Sequence, residues 1–446
     1  MGAVQIAAAV ELNKDVIKID AANGALVEVQ VRALLAHPLT ASSAVQIALL
    51  SNRGLQAAYN DLGISEAKMV EASLPPSPSL AFRDLAGSGF EIERQIVQNV
   101  LALVTLPRRR DIAESRFRQA EARAIDATLR VSAETSRAYY RAVAANEAVK
   151  FLVEARLSAE ALSDVAKRLG ETGAMSKLEQ AREHAFYAEI SGRVATARLR
   201  QRIERERLTR MLGAWSTDVK FRLPDKLPRL PTKPNTLPSV EREAVQRRVD
   251  IAIARLEIDV LAKELGLTRR TRFINALEVA GVSKTEKDIT GGVVVDKFSR
   301  RGGEVDVEIP IYDFGESRVR TAEETYMRAV NHLLERAVNV RSEAREAYQV
   351  YRGTYDIARH YEREVIPLRQ IISDEALLNY NAMTLDLFAL LTDARARILA
   401  NVQVIEARRD FWLACVDLGT AIVGGRGGEA AETPGVAMTA IESGRP

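Results

Sequence analysis

The sequence predicts a mainly α-helical chain with a small β part, in which one duplicated unit supplies long coiled-coil helical hairpins plus two β-hairpins per chain. Three observations predict it. Landmarks recur in the same order about 200 residues apart. One run alternates strictly between apolar and acidic residues, the period of a strand. After that run, apolar residues recur at steps of three and four over roughly 60 positions, the period of a coiled-coil seam. The composition agrees: of 446 residues 47% are hydrophobic and 28% charged, but only 5% aromatic, which suits long helices on narrow seams better than a large mixed globule.

The duplication is read from ordered matches. Ala44-Val45-Gln46 returns as Ala244-Val245-Gln246. Pro107 followed by Glu114-Ser115-Arg116-Phe117-Arg118-Gln119-Ala120 returns as Pro310 followed by Glu316-Ser317-Arg318-Val319-Arg320-Thr321-Ala322. Ala138-Tyr139 meets Ala347-Tyr348, and Ala174-Met175-Ser176 meets Ala382-Met383-Thr384. The chain therefore divides into an N-terminal extension (1–38), a first repeat (39–222) with a strand hairpin at 78–106, a linker (223–240), a second repeat (241–423) with a strand hairpin at 272–312, and a tail (424–446). Pro224, Pro228, Pro231, Pro234 and Pro238 exclude helix and central strand from the linker. The Gly-rich tail is expected to be disordered.

The strands come next. Glu304 to Ile311 places Val305, Val307, Ile309 and Ile311 on one face and Glu304, Asp306 and Glu308 on the other. Phe273 to Gly281 supplies a partner strand, with Phe273, Leu277 and Val279 on one face. In the first repeat Ser79–Arg83 and Phe90–Val97 hold the equivalent places, joined by Gly87-Ser88-Gly89. The helices follow. A seam from Ala322 and Tyr326 to Leu368 and Ile372 predicts a helix on the order of 90 Å, interrupted at most by a kink at Pro367. Its counterpart runs from about Ile112 to Leu169, ends at Gly170, turns through Gly173 and returns near Met175 to Leu212.

Several function classes fall away. The net charge of +3 arises from 63 basic and 60 acidic residues spread along the chain, so no nucleic-acid partner is indicated. Cys415 stands alone, and His37, His184, His332 and His360 are scattered, which leaves no catalytic or metal site and no cofactor. No stretch reaches the ~18 apolar residues of a membrane-spanning helix, so a membrane crossing would fall to strands. Ala3 to Val10 is apolar but has no basic residue before it and Glu11 just after, so a signal peptide is not evident. Export information is therefore missing, or the protein stays inside. Four strands cannot close a barrel, since the smallest need about eight; three copies would complete a twelve-stranded barrel as a trimer. Glu304, Asp306 and Glu308 would then line water, and Val305, Val307 and Ile309 would face lipid. An ordinary half-buried antiparallel sheet has the same alternation, and on the strand alone it is the preferred reading.

Ser43 to Phe82 resembles the opening of the TolC-type outer-membrane efflux factor family. Gln246-Arg247-Arg248-Val249-Asp250-Ile251 is similar to its Arg-Pro-Asp-Ile helix start, Ile309-Pro310-Ile311-Tyr312-Asp313-Phe314-Gly315 to its Leu-Pro-Leu-Phe-Asp-x-Gly strand exit, and Tyr380-Asn381-Ala382-Met383-Thr384 through Asp393-Ala394-Arg395 to its second hairpin tip. The similarity covers about Leu39 to Val423. It implies a homotrimer in the outer membrane of a Gram-negative bacterium, extending into the periplasm as a helical tunnel. Such a trimer is a passive exit duct, not an enzyme, and docks a periplasmic adaptor protein and an inner-membrane pump.

The resemblance also implies sites. Gly170, Gly173, Ala174 and Met175 on one tip, with Tyr380, Asn381, Ala382 and Met383 on the other, are where the adaptor would be met. Asp386 and Asp393 lie one heptad apart, so a threefold axis would turn each into an anionic pore ring; Asp393 is also within i, i+4 reach of Arg397, and an ordinary solvated pair is the preferred reading. Met383 stands where the family carries Gly, and Leu385 and Ala389 where it carries polar residues. Met175 and Met383 occupy matched tip positions, for which filler packing suffices. The family's lipid-anchoring N-terminal Cys has no counterpart, so such an anchor is not expected. A soluble coiled-coil scaffold bridging partners is the alternative from a different class.

Overall fold

The computed structural model describes residues 1–425, apart from Ala21, 87–88, Ala174, 216–219, 291–292 and Asp386. Two helices lead in, α1 (Gly2–Leu12) and α2 (Gly24–Leu35). The same succession then occurs twice. First come α3 (Ala41–Ser51), α4 (Arg53–Ser73), the strands β1 (Ser79–Ala86) and β2 (Gly89–Asn99), and the helical hairpin α5 (Val100–Glu171) and α6 (Lys177–Leu212). The second pass gives α7 (Val240–Arg247), α8 (Val249–Arg270), β3 (Ala276–Thr290) and β4 (Val293–Glu308), then a long helix in two parts, α9 (Glu316–His360) and α10 (Ile366–Asn381), and the returning α11 (Leu387–Val423).

Each pass opens on a helix broken by one extended residue: Asn52 (φ −67, ψ 112) in the first and Arg248 (φ −64, ψ 124) in the second. The chemistry of the two breaks differs. Asn52 caps α4 by accepting from Leu55 N–H at 3.1 Å. Buried Arg248 instead pairs with Asp250 at 2.8 Å and reaches Glu343 on α9 at 2.6 Å.

Helix α5 has 72 residues, on the order of 110 Å at ~1.5 Å per residue. It starts directly off β2, because the Asn99 side chain accepts from Ala102 N–H at 2.7 Å and sets the helix there. Residues 100–106 of the expected strand hairpin 78–106 are therefore helical, and Pro107 lies inside α5. Pro310, matched to it in sequence, lies instead in the turn after β4. The second long helix carries a π-helical turn, Tyr361–Val365, just ahead of Pro367. Proline removes one backbone N–H and crowds the carbonyl four residues earlier, and widening the preceding turn relieves both.

The four strands form one antiparallel sheet in the order β1-β2-β3-β4. The two hairpins join along β2 and β3, in register from Asn99↔Glu278 to Gly89↔Asp288. With 15 residues in β3 and 16 in β4, the second hairpin reaches well beyond its alternating part, through Ser283-Lys284-Thr285-Glu286-Lys287 and Lys297 to Arg301, where polar residues stand on both faces, Phe298 alone excepted, and a period of two is invisible. Phe273 sits in the turn before β3, not on the strand, and Ile309 and Ile311 follow β4.

Each repeat has a large apolar cluster, with Leu39, Ile47, Tyr139, Val143, Leu208 and Leu212 in the first and Val240, Ile251, Val340, Tyr355, Phe411 and Leu418 in the second. The Ala3–Val10 run folds into α1, whose Val4 and Ala8 pack among Tyr59, Leu62 and Ala124. The proline-rich linker crosses the long helices in sequence. Asn146 donates to Pro224 O at 3.1 Å, Glu147 accepts from Leu227 N–H at 2.8 Å, and Trp412 donates to Pro228 O at 3.1 Å. Tyr355 then donates to Pro231 O and Thr232 O at 3.1 and 3.0 Å, and Tyr351 Oη accepts from Asn235 N–H at 3.0 Å. Prolines supply acceptors without donors, and the helices answer with hydroxyl, amide and indole donors.

Candidate functional site

The sheet has two unlike faces. Residues in register point the same way and alternate along each strand, so Glu304, Asp306 and Glu308 share a face with Glu278, Glu91, Glu93 and Glu286. Its cations, Arg83, Lys284 and Arg300, are outnumbered, and most are already engaged. Lys284 pairs with Glu91 at 2.7 Å and Glu286 at 2.9 Å, and Arg83 with Glu93 at 3.1 Å. Glu304 accepts from Gln95 Nε2 at 3.2 Å, and Glu308 from Asn275 Nδ2 at 3.0 Å. The three expected pore carboxylates are thus brought together on an anionic face. The opposite face carries Leu80, Ile96, Val279, Val305 and Leu277 in adjoining rows. Leu80 is 76% and Val305 63% exposed, so this apolar surface is uncovered in the single chain.

The strand exit is built by chemistry local to its motif. Asp313 accepts from Gly315 N–H at 2.9 Å and Ser317 N–H at 3.3 Å, closing the start of α9. Gly315 has φ 72, and a Cβ there would lie 2.2 Å from Arg272 O, so both the left-handed conformation and the close approach require glycine. The turn leaves Tyr312 98% exposed beside Ile311 and Phe314.

Helices α5, α6, α9 and α11 enclose a trough with a cavity volume of about 1770 Å³. Its walls mix alanines with charges that neutralise one another, as in Arg137–Asp417 at 2.6 Å, Arg193–Glu189 at 2.8 Å and Arg200–Glu406 at 3.4 Å. Such walls suit water and offer no single strong binding point. Burial pushes the Cys415 thiol up to about 12, which leaves no thiolate at neutral pH. Among the described residues no cluster of His, Cys, Asp and Glu could hold a metal ion, and no helix is long and apolar enough to cross a membrane.

At the first tip, α5 ends at Glu171 and the chain reverses through Gly173 at φ 77. A capping box starts α6: Ser176 Oγ accepts from Glu179 N–H at 3.3 Å, and Glu179 Oε2 accepts from Ser176 N–H at 2.9 Å. Those bonds from Ser176 hold the Glu179 carboxyl below its ordinary pKa. Gly170 lies against the Gln180 side chain, 1.8 Å from where a Cβ would stand, and Gln180 donates to Met175 O at 3.2 Å. At the second tip, α10 ends at Asn381; Ala382 N–H and Met383 N–H return to Leu378 O and Tyr380 O, both at 3.0 Å. Met383 takes φ 59 and is 95% exposed. Both left-handed residues come two positions after a helix end, so Met383 corresponds to Gly173 in the turn, not to Met175 as the sequence match has it.

Ala174 and Asp386 lie outside the described residues. Asp393 is half-buried on α11, and Arg397 donates to Ser373 Oγ at 3.1 Å on α10; no ion pair joins it to Asp393 among the described residues. Sequence reasoning missed Glu183 of α6, which is 3% exposed with one carboxylate oxygen unpartnered. Burial raises its pKa and the facing Arg395 of α11 opposes that rise. The Arg395 guanidinium lies 4.7 Å over the Phe186 ring, so this contact stitches the two helical hairpins near their tips. A charged residue at a helical core position, facing a charge on a remote segment, left no periodic signal.

No protein-family model matches the sequence, and no curated protein matches it. Solved structures do. The chain is similar to the CmeC outer membrane channel of Campylobacter jejuni at a TM-score of 0.72 and 19% identity, covering 86% of each chain. It is similar to the outer membrane protein VceC of Vibrio cholerae at 0.69 and 13% identity, covering 89% of this chain and 97% of that one. The open state of the MtrE outer membrane channel of Neisseria gonorrhoeae matches at 0.67 and 14% identity, covering 86% of this chain and 88% of that one. The fold of this chain is the TolC-type fold that these outer-membrane proteins share.

Proposed function

We propose that three copies of this chain form a passive outer-membrane exit duct, continued into the periplasm by the helical hairpins and docked there to an adaptor protein and an inner-membrane pump. One observation carries the reading. The sheet is open at both edges, since β1 and β4 each have a single partner, and it has one uncovered apolar face and one anionic face. Unpaired strand edges beside lipid-facing apolar rows are tolerated only when closed by further strands, and the chain's own strands are too few to close on themselves. Pairing of β4 with β1 of a neighbouring copy removes the edges, turns the anionic face to water and presents the apolar face to lipid. A soluble scaffold offers no cover for Leu80 and Val305. The tips suit docking: Leu178, Leu377, Leu378 and Met383 are exposed there, beside turns that hold them in place.

The test is to express the chain with an export signal and look for trimers in outer-membrane extracts, then record single channels in planar bilayers. Wild type should prefer cations, and the triple variant Glu304→Lys, Asp306→Lys, Glu308→Lys should lose or reverse that preference. A soluble monomer would sink the duct, and unchanged selectivity would sink the assignment of this face to the pore.

A further inference from the structure

We propose that the outward face of the sheet carries a binding site for a phosphate-bearing membrane lipid, formed by Arg94, Ser283 and Arg301; the inference rests on the reading of the sheet as a membrane wall. The register places these residues in one row, Arg94 opposite Ser283 and Ser283 opposite Arg301. Adjacent strands lie ~4.8 Å apart, so the two arginines stand about 10 Å apart across the serine hydroxyl. All three point to the same side as Leu80, Ile96, Val279 and Val305, which fill the rows between them and the helical part of the chain.

An arginine facing hydrocarbon is destabilising, most of all at the bilayer midplane, unless it meets an interface or an anion. Neither arginine is neutralised by the chain: no ion pair joins Arg94 or Arg301 to a carboxylate among the described residues. Arg94 lies 5.4 Å over the Phe82 ring, a contact that orients it and leaves its charge uncompensated. Asp84 is the one carboxylate among the described strand residues on this face, on the edge strand one row further out.

The height of the row fits a headgroup. From Ile309 to Arg301 the chain climbs roughly 27 Å at ~3.4 Å per residue, or about 20 Å along the membrane normal for strands tilted ~40°. The exposed Tyr312 and Phe314 mark the lower boundary, as aromatic residues do at a membrane interface. The row then lies in the leaflet distal to the helical hairpins, at phosphate level, with the apolar rows below it free to hold acyl chains. Arginine's planar donors match phosphate oxygens in pairs, and Ser283 adds a hydroxyl between them. The apolar rows beneath commit the site to a lipid rather than to free phosphate.

The full-length chain is reconstituted into phosphatidylcholine vesicles containing a minor fraction of diphosphoryl lipid A, re-extracted in mild detergent, and its retained lipid measured by native mass spectrometry. Wild type should retain the phosphorylated glycolipid. The double variant Arg94→Gln, Arg301→Gln should retain at least about tenfold less, while Arg83→Gln, Arg300→Gln on the anionic face retains as much as wild type. Equal retention by both double variants, equal retention of the same glycolipid stripped of phosphate, or displacement by inorganic phosphate would each overturn the lipid site. Protease protection of the strands in the vesicles separates the two levels: an unprotected sheet overturns the membrane reading and this site with it, whereas a protected sheet without selective retention overturns this site alone.

Discussion

Met383 holds a left-handed backbone at φ 59 with nearly all of its side chain in solvent. A side chain at such a position costs about 1–2 kcal/mol, and glycine avoids that cost while losing about 0.5–1 kcal/mol to its greater freedom in the unfolded chain. Met383→Gly is therefore expected to stabilise the tip by up to about 1.5 kcal/mol, read as a small rise in the thermal midpoint, and, in the proposed duct, to weaken adaptor binding by removing the exposed apolar contact. If binding is unchanged, the methionine serves no docking role. Of the tip chemistry, Gly170 and Gly173 were legible, because glycine after a helical run signals reversal. That Gly170 makes room for Gln180 was not, since the partner lies across a turn whose geometry the sequence does not state.

Glu183 belongs to the scale of elements, because it couples α6 of one hairpin to Arg395 on α11 of the other. Burial raises its pKa above the ordinary value of about 4.5, so the folded state binds this proton more tightly than the unfolded state does. Its favourable contribution is complete below about pH 4.5 and is lost as the pH rises through the raised folded-state value. The seam between the hairpins should accordingly be firmer in mild acid than at neutral pH, and Glu183→Gln should flatten that dependence in unfolding curves taken across the range. A wild-type curve already flat would remove the argument. Elements whose apolar period survives intact were legible: the seam of α9 and the inner half of β4, where Val305 and Val307 alternate with Glu304 and Asp306. The outer halves of β3 and β4 were not, because polar residues on both faces erase the period. The true start of α5 was hidden because Pro107 reads as a strand exit while the Asn99 cap upstream is inconspicuous.

At the scale of the whole molecule, the proposed duct requires the sheet's apolar face to meet lipid, whereas the helical body makes no such demand. Val305→Arg places a cation among the apolar rows at a cost of about 2–4 kcal/mol per copy. It should abolish recovery of trimers from membranes while circular dichroism of the detergent-solubilised chain keeps its helical signal. Normal insertion would mean that this face does not meet lipid. The general architecture was legible because duplication limits the arrangements: two matched strand pairs and two matched helical hairpins must find equivalent places. The joining of the hairpins along β2 and β3 was not legible, since register between segments so distant in sequence leaves no local trace.

The proline-rich linker has a consequence for amide hydrogen exchange. Its five prolines carry no exchangeable amide, and among the amides that remain Leu227 and Asn235 report the crossing directly, because their N–H groups are given to Glu147 and Tyr351. The two amides watch different repeats. If the hairpins part independently, Leu227 and Asn235 should lose protection at different rates, and Tyr351→Phe should release only the second. Matched rates in wild type would mean that the linker binds both hairpins into one cooperative unit.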